Sequence, residues 1–107
     1  MDERRKYPRV KARVPVEIHV EGTDSPLRGA TLDLSVGGCY IESMFPFPKG
    51  TKLELRLAVA DTLVIEAEVA TCDPQVGNGL VFSRMLPEDV EALRTFIEGQ
   101  TTDETTQ

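Results

Sequence analysis

Two short stretches of this 107-residue chain carry side chains whose types and spacing suit ligand binding, cations for a small anion in one and hydrogen-bonding groups in the other. In "RRKYPR", residues 4–9, Arg4, Arg5, Lys6 and Arg9 surround one aromatic ring and one proline. Pro8 fixes its own φ and biases Tyr7 toward an extended conformation, so the cations stand on a partly preformed arm. In "DLSVGG", residues 33–38, Asp33 and Ser35 are two apart and the Gly37-Gly38 pair follows. Ionised aspartate only accepts, serine donates or accepts, and residues i and i+2 of an extended segment point to the same side. Glycine permits positive φ and removes side chains that would keep a ligand off the backbone. Each stretch also has a plainer reading. Basic termini serve as solubilising tails, and D-x-S before paired glycines can be an Asx-type turn ending in a bulge, its side chains holding their own backbone.

Charge sets the arm apart from everything that follows. Residues 1–13 hold six cations against Asp2 and Glu3, a net of +4, while the rest of the chain holds six cations against sixteen acids, −10, within an overall −6. A duplex nucleic acid would be repelled over most of such a surface, whereas a small anion docking at the arm would not. A single-strand binder would want aromatics exposed on a basic face; two tyrosines, four phenylalanines and no tryptophan on an acidic body do not supply one. No nucleic-acid polymer is therefore expected as a partner.

Catalysis finds little support. There is one histidine, His19, with no paired base, and no nucleophile elbow, phosphate loop or metal-ligand spacing. Glu66 and Glu68 share a strand face, but alternating charge on an exposed face is the commoner reason for such a pair. Cys39 and Cys72 lack C-x-x-C spacing and are expected as buried reduced thiols. The chain reads as a non-enzyme without cofactor or metal. No apolar run is long enough to cross a bilayer, and "MDERRKYPRVKAR" lacks the apolar stretch of a secretory signal. Cytoplasmic residence without membrane insertion is the expectation.

The elements that must position these residues have a period of two. Val14, Val16, Ile18 and Val20 alternate with Pro15, Glu17, His19 and Glu21, the pattern of a strand with one face on a core. After "EGTDSP", Leu27 to Leu34 reads as a second strand and "CYIES" as a third; the proline-rich "MFPFPKG" is a loop. Leu53, Leu55 and Leu57 mark a fourth strand, "TLVIEAEVATC" a fifth and, after a turn at "DPQVGNG", "GLVFS" a sixth. Six short strands without helices between them predict an antiparallel barrel or sandwich. Only "LPEDVEALRTFIEGQ" has helical spacing, with Pro87 first, Gly99 as the stop, and Val90, Leu93, Phe96 and Ile97 as a stripe that lids the barrel. Length allows one domain. It divides into a basic ligand-binding arm over 1–12, a barrel with its helix over 13–99, and a disordered polar tail over 100–107.

By average residue usage, D-x-S-x-x-G arises by chance in about 2 to 3% of chains of this length, and jointly with R-x-x-x-R in fewer than about one in a hundred. Carrying both in this order, the chain resembles the PilZ domain family, small bacterial receptors for the second messenger cyclic di-GMP. The resemblance runs from Arg4 to about Gly99: the family's R-x-x-x-R falls on Arg5 and Arg9, and its D/N-x-S-x-x-G on Asp33, Ser35 and Gly38. "GNGLVF", residues 77–82, is similar to a glycine-then-apolar strand late in the family. It implies an all-β fold with a C-terminal helix, a six-stranded antiparallel β-barrel of PilZ type. It implies cyclic di-GMP as ligand, with the arginines on phosphates and purines and Asp33 accepting from a guanine Watson–Crick edge. An arginine just before the first motif arginine accompanies two stacked ligands in the family. Arg4 fills that place, so two molecules per chain are implied. It implies, finally, that the arm changes conformation on binding and signals to an unidentified downstream protein. The other reading is an interaction adaptor of the same fold that does not bind the nucleotide.

Overall fold

The computed structural model describes residues 8–105, with side chains described through residue 100. Seven strands and one helix follow in order: β1 (Val10–Lys11), β2 (Pro15–Val20), β3 (Leu27–Leu34), β4 (Gly38–Glu42), β5 (Lys52–Ala58), β6 (Thr62–Asp73), β7 (Gly77–Met85) and α1 (Pro87–Thr105). Every pairing is antiparallel, in the order β1-β3-β2-β5-β6-β7-β4, and a further β3–β4 pairing closes the sheet. The result is a closed six-stranded barrel plus one short strand. Closure leaves no long edge unpaired.

Alternation gives each strand its inner face. Val16 and Ile18 on β2, Leu53, Leu55 and Leu57 on β5, and Leu63, Ile65, Ala67 and Val69 on β6 are all buried, with charged residues such as Arg56, Glu66 and Glu68 outside. α1 adds buried Leu93 and Ile97 to the same core and packs against β1, with Ala92 and Phe96 at the margin. The helix is the expected lid.

β1 is the strand that sequence pattern did not separate. It and β2 follow one another along the same flank of β3, with Val10 opposite Leu34 and Pro15 opposite Ala30. Thr31, fully buried, bridges the break: its hydroxyl donates to the Ala12 carbonyl at 2.6 Å and accepts from the Val14 N–H at 3.0 Å. The end of the arm is thus stitched to the barrel wall.

Three expectations are corrected. Gly77–Gly79, read as part of a turn, open β7 instead, because the strand there runs too close to β4 and β6 for a Cβ. The helix passes through Gly99 to Thr105, so the tail expected over 100–107 is helical for most of its length. Gly99 is not in the left-handed conformation of a C-terminal cap and no proline follows it, and a glycine within a helix costs only about 1 kcal/mol. Cys72 is half-exposed while Cys39 is buried, both as free thiols; a register shift between Val69 and Thr71 breaks the inward alternation of β6 just before Cys72.

Candidate functional site

Val10 is buried, so its neighbours Arg9 and Lys11 must project from the barrel. Asp33 lies opposite Lys11 on β3. Simple alternation from buried Thr31 would send Asp33 inward. A register shift between Thr31 and Asp33 prevents this: Leu32 and Asp33 both come to the outer side, and Leu34 returns to the core. The bulge therefore delivers a carboxylate to the place where the arm arrives. Arg9 Nη1 donates to Asp33 Oδ1 at 2.5 Å, an ion pair with side chains 27% and 33% exposed. Of the expected site residues, Arg9 and Asp33 are brought together; Arg4 and Arg5 lie outside the described residues.

Ser35 and Gly38 shape the turn beneath them. Ser35 is 4% exposed; its Oγ accepts from the N–H groups of Gly37 and Gly38, each at 3.1 Å, and its own N–H donates to the Gly38 carbonyl at 2.8 Å. The hydroxyl holds its own backbone rather than standing beside the Asp33 carboxylate, because Ser35 falls past the end of β3. Gly38 is not in the left-handed region; a Cβ there would strike the Leu80 carbonyl oxygen of β7. Its glycine serves strand packing. Cys39, fully buried behind the pair, has its thiol pushed up to about 12 by burial and further by the Asp33 charge, against the pull of Arg9. It is protonated and unreactive.

Three supporting residues were not among the expected site residues. Tyr40 lies directly opposite Asp33 across β3 and β4 and so shares its outer face. Its hydroxyl donates to Asp73 Oδ2 at 2.7 Å, and loss of solvent together with that bond pushes the phenol up to about 12. Asn78, buried, binds the Phe47 N–H and C=O at 2.8 and 2.9 Å and the Thr71 carbonyl at 3.1 Å, fixing the proline-rich loop. Thr31 is the third. Cross-strand register, which no single-strand pattern reveals, is the signal that finds all of them.

Two open depressions lie elsewhere on the barrel wall. One lies over β2, β3 and β5 between Glu17, Arg28 and Arg56; the other over β2, β5 and β6 between His19, Glu54, Glu66 and Glu68. Neither touches Arg9 or Asp33. The Glu17 carboxyl is held below its usual range chiefly by its hydrogen bond with His19 at 3.1 Å. Among the described residues, no three His, Cys, Asp or Glu side chains converge as a metal site, and no helix is long and apolar enough to cross a membrane.

A closed antiparallel barrel, a C-terminal helix, and an arginine–aspartate pair where the arm meets the third strand define a class. The PilZ domain family model matches residues 3–99, and the chain belongs to that family. Among solved structures it is similar to the inhibitor of motility MotI/DgrA of Bacillus subtilis, at 22% identity and a TM-score of 0.79, over 94% of this chain and 52% of that one. It is also similar to the PilZ domain with c-di-GMP of YcgR from Escherichia coli, at 16% identity and a TM-score of 0.73, over 94% of both chains. A third is the PilZ domain of CeSA from a cellulose-synthesizing bacterium, at 20% identity and a TM-score of 0.65, over 86% of this chain and 96% of that one. These likenesses establish the fold. The chain spans about half the length of the MotI/DgrA and whole YcgR chains it matches. No curated protein matches it.

Proposed function

We propose that this chain is a cytoplasmic, non-enzymatic cyclic di-GMP receptor domain of a bacterium, in which ligand binding changes the conformation of the arm over residues 1–12 and so signals to a partner protein. The observation that carries it is the pairing of Arg9 with Asp33 at 2.5 Å, since it puts one member of each motif at a single point of the barrel wall. Family membership and a structural relative with c-di-GMP bound support the same ligand.

The chemistry follows from the groups. The ligand's two phosphates need cations, and each guanine offers N1–H and N2–H donors that a carboxylate can accept. Asp33 receives that edge, releasing Arg9 to a phosphate or a purine face. Arg5 is the second cation, and Arg4 the one that admits a second stacked ligand. Ser35 and Gly38 hold the turn that fixes the height of Asp33. Exchange of one ion pair for another is what lets the arm move: Arg9 belongs to the barrel without ligand and to the ligand with it. Hydrogen exchange would then show residues 9–12 gaining protection on binding; equal protection in both states would contradict the movement.

Calorimetric titration with cyclic di-GMP, beside GTP and cyclic di-AMP, tests the assignment. Saturable binding of cyclic di-GMP alone, at two ligands per chain, is expected. Heat with none of the three would leave an adaptor that does not bind the nucleotide.

A further inference from the structure

The barrel wall beside Asp33 holds an aromatic that neither motif contains. Through the strand register Lys11, Asp33, Tyr40, Gly79 and Thr71 form one row across β1, β3, β4, β7 and β6, all on the outer face. Tyr40 is held there by unusual means. Its Cε2 would lie 2.9 Å from a Cβ at Gly77 and its Cδ1 3.8 Å from one at Gly79, so the ring rests over two glycines of β7, neither of them left-handed. The Asp73 carboxylate pins its hydroxyl at the far end. The ring is thereby held against the glycine backbone of β7, with the side chain half-buried and partly open to solvent.

We propose that Tyr40 is a further ligand-binding residue, its outer ring face being the surface on which the guanine held by Asp33 stacks. Directly opposed residues of an antiparallel pair carry Cβ atoms about 4.5 to 5.5 Å apart, which is about the width of a purine. A base meeting the Asp33 carboxylate with its edge therefore extends over the neighbouring ring. A flat, immobilised aromatic gives a base a stacking partner without the entropy cost of ordering a free side chain. Carboxylate and ring divide the recognition: Asp33 distinguishes guanine, and Tyr40 adds affinity that any purine would share. The assignment rests on the cyclic di-GMP reading given above.

The test is a titration of the full chain with cyclic di-GMP in three forms, unaltered, Tyr40→Phe and Tyr40→Leu, with thermal midpoints of each. Tyr40→Phe keeps the face and should bind within about threefold of the unaltered chain; Tyr40→Leu should weaken binding about 5- to 150-fold, the range for one lost base stack. A second readout needs no variant to fold well. Proton NMR of the unaltered chain should show the Tyr40 ring resonances, identified as those missing from Tyr40→Phe, moving upfield on ligand addition. Binding by the unaltered chain with Tyr40→Leu within twofold, or with unmoved ring resonances, would overturn the role of Tyr40 and leave the receptor assignment standing. An unaltered chain that binds no cyclic di-GMP would overturn both.

Discussion

The two charged walls of the barrel differ in what lies beneath them. On one side Arg9, Lys11, Asp33 and Tyr40 stand over β1, β3 and β4; on the other His19, Glu54, Glu66 and Arg84 form a row across β2, β5, β6 and β7. Both are polar surfaces on the same sheet. Yet the buried polar side chains among the described residues, Thr31, Ser35 and Asn78, lie on β3, in the turn after it and on β7, with none on β2, β5 or β6. The second wall sets Glu54 directly opposite Glu66, an unfavourable like-charge pair, and its ion pairs are short-range contacts such as Glu54 with Arg56. Charge alone does not make a site. What distinguishes the first wall is the set of buried hydrogen bonds of Thr31 and Ser35 beside it.

The largest break in this contrast should come at Gly38. Gly38→Ala drives a methyl group into the Leu80 carbonyl oxygen, a backbone atom that cannot swing aside, and should cost about 3 kcal/mol, lowering the thermal midpoint by about 10 °C or more. A loss under 3 °C would show that the turn yields. Next, Arg9→Ala removes charge-assisted bonds worth about 1.5 to 3 kcal/mol, and cyclic di-GMP affinity measured by calorimetry should fall by about one to two decades. A change below threefold would remove Arg9 from the site. Thr31→Val keeps the side-chain volume while leaving the Val14 N–H without its partner, and denaturant unfolding should register about 2 kcal/mol. On the other wall, Glu66→Gln relieves repulsion across the pair; stability should rise or stay within about 0.5 kcal/mol, with ligand affinity unchanged. If Glu66→Gln weakens binding as much as Arg9→Ala, the two walls are not distinct.

Much of the barrel was legible because alternation is a local signal. Val16 and Ile18, or Leu53 to Leu57, announce an inner face without reference to any other strand. What escaped depends on partners far along the chain. Asp33 faces outward only because β3 bulges against β4; Ser35 turns back on its own backbone because β3 has ended. Asn78 and Thr31 matter through hydrogen bonds to residues 31 and 19 positions away. Gly77 and Gly79 resemble turn residues, since loss of a Cβ serves a close strand approach as well as a positive φ. The two motifs drew attention to Arg9 and Asp33 separately, but neither their ion pair nor the bond of Tyr40 to Asp73 could be read from one strand alone.

The central claim, that the motif wall and not the acidic one receives the ligand, is tested most directly by mapping backbone amide shifts on titration with cyclic di-GMP. The largest changes should fall on residues 9–11 and 33–40, with His19, Glu54 and Glu66 unmoved. Changes centred on those three residues, or none at any amide, would contradict it.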